Sequence, residues 1–421
     1  MEITDYSLDF KREKLLAPFG FKGGYVNELW RVFVQLKGKM KQPVLGTGVQ
    51  SVLWSDSNIF SSFSPTGGNA LMLLVTEYCA KFLKSCQWNN PMELFDCIFP
   101  EILAYAKKTS GRSDLKPTFV LNAMVPVDNA VWQLYAMENG IHDFDSLIPK
   151  NCSIAFIAHH SNLAAIPLIT YGTTLDQIGE LADAGYSIFK IKIGSDPDSD
   201  GDLRKTLAWD KSRIKDIHSI LKNRTTAFTA TGTVAYYLDA NGRYKTLEQI
   251  HELLDFIDSI GALDQVVLFE EPFPYGSSID VSGLPVTVAA DESAYSDTVV
   301  ESLIELGYRA IALKPIAKTM SMSFKIASMA AKKGIPCFCA DLTVDPLLVD
   351  YNKCFAARLE AIPGMKIGIL ESNGQQNYAE WNRMLNEHPI PDGEWINVHN
   401  GVFNLNEKFY SSSGGIFNAR G

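Results

Sequence analysis

From about Ile166 onward the chain alternates short apolar runs with amphipathic stretches. PLITY is followed by Thr174-Leu-Asp-Gln177, a capping-box pattern, and by the helix LDQIGELADAG, which stops at Gly185. SIFKIKIG is an apolar run carrying two lysines; a charged helix near Lys205–Leu221 then leads to YYLDA. Thr246-Leu-Glu-Gln249 repeats the capping box at the head of TLEQIHELLDFIDSIG. The remaining units are VVLFEE, VTVAADE with DTVVESLIELG, AIALK with FKIASMAAKKG, PCFCA with LLVDYNKCFAARL, and IGILES, eight strands counted from PLITY. Such alternation predicts a parallel sheet, either a closed (β/α)₈ barrel or an open doubly wound sheet, and the count of eight favours the barrel.

The first part of the chain reads differently. Leu29–Leu36 alternates as a strand does, and Val44–Trp54 reads as a second strand with glycine breaks. Helical spacing follows around Ala70–Cys86 and Leu121–Gly140, where Val127, Val131, Leu134 and Tyr135 recur on one face. The expected organisation is an α+β capping unit over 1–150, a barrel over 165–375, and a tail over 376–421 that packs back on the capping unit. Composition adds exclusions. Of 421 residues, 46% are hydrophobic and 20% charged, as in globular proteins. A net charge of -10 and a pI near 5.3 argue against a nucleic-acid or anionic-membrane partner. No run approaches the ~20 apolar residues of a membrane helix, and MEITDYSLDFKREK lacks the apolar core of a signal peptide. Seven cysteines without a Cys-x-x-Cys pair point away from a disulfide framework or structural zinc. The expectation is a cytoplasmic protein with a small-molecule partner, and a homo-oligomer is left open.

Charge placement narrows the chemistry. Active-site groups of a parallel barrel project from the C-terminal ends of its strands. Lys190 and Lys192 close SIFKIKIG, Asp239 closes YYLDA, Glu270 closes VVLFEE, Asp291 closes VTVAAD and Lys314 closes AIALK. Alternation puts Lys190 and Lys192 on one side of their strand. Carboxylates on three successive strands, without histidine or cysteine, suit Mg²⁺ or Mn²⁺ better than Zn²⁺. The competing reading makes each carboxylate a cap for the next helix; three in succession, flanked by lysine strands, favour the metal. Lys192 ends the second strand and Lys314 the sixth, on opposite sides of the ring. A substrate between them has a lysine on each face, and Lys190 beside Lys192 lowers its proton affinity by like-charge repulsion.

Lys190-Ile-Lys192, Asp239-Ala-Asn241, Glu270-Glu271-Pro272, Asp291-Glu292-Ser293 and Lys314, in that order, resemble the signature of the muconate-lactonizing-enzyme subgroup of the enolase superfamily. Ala130-Val-Trp132 with Asn139-Gly140 is similar to the helix leading into that barrel. The resemblance implies a (β/α)₈ barrel with an α+β capping domain made by the N-terminal region and C-terminal tail. It implies Mg²⁺ on Asp239, Glu270 and Asp291, an acid/base pair in Lys192 and Lys314 tuned by Lys190, and supporting roles for Asn241 and Glu292. The mandelate-racemase branch is expected to use a histidine near the end of strand seven, and none occurs between His251 and His388. Within the lysine-pair subgroup the first choice is a racemase or epimerase of an amino-acid derivative or dipeptide. A lyase of the o-succinylbenzoate-synthase type and a cycloisomerase are the alternatives, with a non-catalytic metal-binding barrel behind them. Dipeptide epimerases carry Asp-x-Asp at the end of strand eight; here the stretch is Glu371-Ser-Asn373. Glu371, Asn373 and Asp341 are candidate substrate contacts, and Phe19-Gly-Phe21-Lys22-Gly-Gly24 resembles the mobile loop that covers the site.

Overall fold

The computed structural model describes residues 1–21, 24–40 and 42–418. Its first layer is an antiparallel sheet in the order β1 (Asp5–Phe21), β2 (Gly24–Lys37), β3 (Pro43–Gln50). The first strand was not among the expected elements, yet Tyr6, Leu8 and Phe10 alternate with Ser7, Asp9 and Lys11 as a half-buried strand requires. It pairs with β2 from Asp5↔Lys37 to Phe21↔Gly24, with an irregularity between Lys14 and Phe19. The strand expected to run through Trp54 stops at Gln50. Val52–Ser55 instead wind into a turn of helix, α1, and the Asp56 carboxylate accepts the amides of Asn58 and Ile59 to open α2 (Ser57–Phe82).

Two more helices complete this layer: α3 (Pro91–Ser110) and α4 (Pro117–Asn139). Pro91 follows the capping Asn90, and Gly111 ends α3 at φ 67°, a start and stop that its sequence carries. The α4 helix lies directly on β3, and glycine makes this approach available: a Cβ on Gly46 would collide with the Pro126 carbonyl, and one on Gly48 would meet Pro126 Cδ at 2.6 Å.

The second layer is a ring of parallel strands. In chain order these are β4 (Asn162–Ile166), β5 (Leu168–Ile169), β6 (Ile188–Lys192), β7 (Ala235–Asp239), β8 (Val266–Glu270), β9 (Val288–Ala290), β10 (Ala310–Leu313), β11 (Cys337–Cys339) and β12 (Gly368–Glu371). β4 and β5 are one extended run interrupted by Pro167, which cannot donate to a ladder. Its first half pairs with β12 and its second half with β6, so the run closes the sheet on itself into eight strands. A short β13 (Val402–Asn404) adds antiparallel to β4.

Two cores result. Inside the ring, the small side chains of Ala164, Ala235, Ala289, Ala310 and Ala312 interdigitate with Ile166, Ile188, Tyr237, Leu268, Phe338 and Ile369. This fills the barrel, so that only its rim is left for chemistry. The other core lies between the strands and the surrounding helices and continues into the N-terminal layer. The C-terminal residues tie the layers together: the Ala379 amide donates to the Lys14 carbonyl, Arg383 pairs with Glu13, and the Trp395 indole donates to the buried Asp350 at 2.8 Å. Among the described residues no helix is long and apolar enough to cross a membrane.

Candidate active site

Strand register decides which side chains meet. Lys192 lies opposite Asp239, and Asp239 opposite Glu270, so all three face the same side of the sheet. Asp291 and Lys314 follow the last residues of β9 and β10, and Glu371 ends β12. These residues meet at the C-terminal rim. Four non-glycine residues in the connections after the strands take positive φ: Asn241 (φ 45°), Glu271 (φ 43°) and Thr343 (φ 57°) in loops, and Thr319 (φ 71°) beyond the short helix Pro315–Lys318 that follows β10. Strain gathered at one rim is typical of a site whose geometry is imposed by its surroundings.

Lysine and carboxylate interleave there. Lys190 Nζ lies 2.9 Å from Glu270 Oε1 and 3.0 Å from both Asp239 Oδ2 and Glu371 Oε2. Lys192 Nζ reaches the same Asp239 oxygen at 2.6 Å and also donates to Asn241 Oδ1. Across the rim Lys314 Nζ donates to Asp291 Oδ2, and Lys318 Nζ lies 3.3 Å from Asp291 Oδ1 while donating to the Asp291 carbonyl at 2.6 Å. The Tyr237 hydroxyl donates to Glu270 Oε2. Asn241 Nδ2 donates to Glu292 Oε1 at 3.3 Å. Asp291 does not cap the helix that follows it: Ser296 accepts the Val299 amide there, and Thr319 and Asp345 cap the helices Met320–Lys332 and Pro346–Ala356.

Burial and charge pull against each other at each group. Burial alone would lower the proton affinity of Lys190, but Asp239, Glu270 and Glu371 outweigh it and hold its pKa well above the usual lysine range. For Lys314 burial again opposes the charge, and Asp291 overrides it and raises the pKa. Asp239 and Asp291 are buried, which favours the neutral acid, yet the adjacent lysines depress both. Glu270 goes the other way: burial, with Asp239 and Asp291 nearby, pushes its carboxyl well above the usual range despite Lys190. Glu271 is pushed up to about 8 by burial and then by the charge of Glu292; its oxygens accept the amides of Asp291 and Ser293, which fixes the Asp291 loop.

The family resemblance implies a divalent cation, and the donor set fits one by type: three buried carboxylates at neighbouring strand ends offer only oxygen. Their present arrangement is turned toward ammonium groups. Among the described residues no three His, Cys, Asp or Glu side chains converge at ion-holding spacing.

A cavity of about 60 Å³ lies over the cluster. The barrel lines it with Lys190, Lys192, Asp239, Asp291, Lys314 and Asp341, and the N-terminal layer closes it with Val26, Leu29, Leu53 and Trp54. Two larger grooves, about 680 and 710 Å³, lie elsewhere and include none of these ionisable residues, so chemistry and not size locates the site. Asp341 donates its amide to Glu371 Oε2 at 3.1 Å and accepts the Asn373 amide on Oδ2 at 2.6 Å. Asn373 Oδ1 accepts from Thr343. Lys22 lies outside the described residues, and of Phe19 and Phe21 only the strand backbone is described.

Sequence reading missed Lys318, Trp54, Tyr237 and Glu271 as members of this cluster. Lys318 had a signal: it is a lysine four residues after Lys314 in an apolar stretch, and it is fully buried. Trp54 had none, because its ring reaches the site, 4.9 Å above Lys314 Nζ, only by virtue of the α1 turn.

No curated protein matches the chain's sequence. Residues 173–401 match the family described as enolase C-terminal domain-like. Among solved structures, a mandelate racemase/muconate lactonizing protein from Herpetosiphon aurantiacus is similar with a TM-score of 0.63 at 17% identity, over 96% of each chain. A dipeptide epimerase from Enterococcus faecalis, complexed with Mg and L-Leu-L-Tyr, gives 0.62 at 15% identity over 90% of this chain and 92% of its own. The L-Ala-D/L-Glu epimerase from Bacillus subtilis gives 0.61 at 16%, with the same coverage. At these identities the likeness is one of fold. With residues 173–401 of 421 matching, and with its motifs at the rim of a closed eight-stranded barrel, this chain belongs to the enolase C-terminal domain-like family.

Proposed function

We propose that the protein is an enzyme that removes a proton from the carbon next to a substrate carboxylate, and that Lys192 and Lys314 are its acid/base pair. The observation that carries this reading is their placement. The two ammonium groups line one small cavity from β6 and β10, on different sides of the Asp239–Glu270–Asp291 group. An α-carbon held in that cavity has a nitrogen base on each face, and a proton taken by one lysine can be replaced by the other. This makes racemisation or epimerisation of an amino-acid derivative the first reading. Lys190 is held cationic by three carboxylates and shares Asp239 Oδ2 with Lys192, so a fixed positive charge stands beside the proposed base. Asp239, Glu270 and Asp291 would hold Mg²⁺ or Mn²⁺, which when bound supplies Lewis-acid stabilisation of the charge developing on the substrate carboxylate. Val26, Leu29, Leu53 and Trp54 exclude water from above.

One observation favours a second reading. Lys314 is buried under the Trp54 ring and bound to Asp291, an arrangement suited to a fixed cation that holds an enediolate while Lys192 alone moves the proton. That division of labour fits a β-elimination. Incubation with N-acyl amino acids, dipeptides and β-hydroxy carboxylates in D₂O with Mg²⁺ separates the cases. Deuterium in both enantiomers supports the racemase, and a product lighter by water with a new double bond supports the lyase. The absence of exchange and elimination across the library would refute both.

A further inference from the structure

Asp341 is the carboxylate that neither the metal nor the proton-transfer role uses. It follows β11 and lines the cavity, and it is 5% exposed. Its Oδ2 accepts the Asn373 amide, but its Oδ1 is buried and has no hydrogen-bond partner among the described residues. A buried acceptor left without a donor is costly, and where it faces a cavity the missing donor belongs to whatever fills that cavity.

Its neighbour Glu371 does not compete for that donor. Glu371 Oε2 is taken by Lys190 and the Asp341 amide, and Oε1 lies 3.5 Å from Asn373 Nδ2. Of these two neighbours, Asp341 is the one with an acceptor left for a group entering the cavity. The surrounding charge selects the kind of donor. Asp341, Glu371, Glu292 and Glu271 join the three strand-end carboxylates, and the lysines facing these seven are Lys190, Lys192, Lys314 and Lys318. Close to Asp341 lies the carboxylate of Glu371, so an ammonium group entering there is attracted and a second anion is repelled. Size selects further, because about 60 Å³ is small beside the roughly 300 Å³ at which ligand pockets usually begin.

We propose that Asp341 receives the ammonium group of a compact zwitterionic substrate, a single amino acid rather than a dipeptide, with its α-carbon between Lys192 and Lys314, its carboxylate toward the Asp239–Glu270–Asp291 group and its side chain against Val26, Leu29 and Leu53. This rests on the reading of the site as a carboxylate-binding proton-transfer centre.

The test is equilibrium binding by calorimetry to the full chain with Mg²⁺. The probes are alanine, leucine and phenylalanine, each in both enantiomers, set against propanoate, 4-methylpentanoate and 3-phenylpropanoate, which lack only the amino group. At least one amino acid is expected to bind roughly ten- to a hundredfold tighter than its desamino partner, the range for a hydrogen bond to a charged group. Asp341→Asn, which keeps an acceptor for the Asn373 amide, should cut that advantage to about twofold while leaving the desamino acid's affinity in place. Asp341→Ala, checked for folding by circular dichroism, should do the same. Wild-type protein that shows no ammonium advantage, including the case in which no probe binds, overturns the proposal, and so does an advantage that survives both variants. Binding is read without turnover, so a failure of proton exchange, which would count against the proposed function, is seen separately.

Discussion

The two lysines occupy unequal halves of the rim. The Lys314 half is held from both layers. Its side chain is 4% exposed, Trp54 from α1 lies over its ammonium group, and Lys318 braces the same Asp291 from beneath. Seven residues past Lys314, the Ser321 hydroxyl and amide donate to Asp128 of α4 at 2.6 and 3.1 Å, and the Trp132 indole donates to that hydroxyl. Among the described residues the contacts of the Lys192 half come from the barrel. Its side chain is 14% exposed, Asp239 and Asn241 are among its partners, and the chain beyond is pinned where the Gly194 amide donates to Asp210. Identical functional groups thus sit in different mechanical settings. Lys314 is tied to the seating of the N-terminal layer through Trp54, Asp128 and Trp132, and the described hydrogen bonds of Lys192 run to the barrel.

The largest effects should come from the lysines themselves. Lys192→Ala and Lys314→Ala should each reduce racemisation about a thousandfold, within the range for loss of a general acid or base. Deuterium exchange should survive in one enantiomer for each variant, and in opposite enantiomers for the two. Exchange lost in both enantiomers from one variant but retained from the other would show that the halves differ in chemistry as well as in setting, as the elimination reading requires.

Next comes the seam that holds the Lys314 half. Burial raises the Asp128 carboxyl from its ordinary 3.8 to about 6, with the Ser321 donors opposing. The folded chain therefore holds this proton more tightly than the unfolded chain. The resulting stabilisation is complete below pH 3.8 and is gone once the pH rises through about 6. At about 1.4 kcal/mol per pKa unit, the wild type should lose up to about 3 kcal/mol relative to Asp128→Asn across that window. Urea unfolding of both proteins from pH 4 to 8 measures it, and parallel curves would remove Asp128 from the account.

How much of this was legible in the sequence follows the same divide. The barrel could be read because each strand–helix unit carries its own local pattern, and its rim because a strand's last residue is set by alternation. Lys192, Asp239, Glu270 and Lys314 were therefore found one by one. Contributions from the other layer were not legible. β1 hid its alternation among charged residues such as Lys11, Arg12 and Glu13. Trp54 extended an apolar run and was counted into a strand, because nothing local announces that Val52–Ser55 will turn into helix. Lys318 and Asp128 act through partners far along the chain, and pairings of that kind are decided by tertiary packing.

Trp54→Ala tests the dependence of Lys314 on that other layer. Removing the ring takes away a cation–π contact worth up to about 2 kcal/mol in a desolvated site and admits water above Lys314. Exchange assigned to the Lys314 face should fall roughly tenfold or more, and exchange at the Lys192 face should stay near wild type. An equal fall on both faces would mean that Trp54 seals the whole cavity and that the halves are not separately held.

The smallest effect should come from Asn241, a side chain that helps to orient Lys192. Asn241 adopts φ 45°, a backbone region that asparagine tolerates better than most residues, and this turns its side-chain oxygen toward Lys192 Nζ while its amide group reaches Glu292. Asn241→Ala leaves Lys192 its ion pair with Asp239 but removes the second acceptor that fixes its direction, a loss of about 1.5 kcal/mol or roughly tenfold in rate. Because substrate is bound by other groups, the fall should appear in kcat with KM little changed, and only on the face served by Lys192. Asn241→Asp keeps an acceptor for Lys192 but places a charge beside Glu292, so it should recover part of the rate with a shifted pH profile. A variant in which both faces slow together, or in which KM rises and kcat holds, would show that Asn241 supports the rim as a whole, and the contrast between the two lysine settings would lose its simplest mechanical basis.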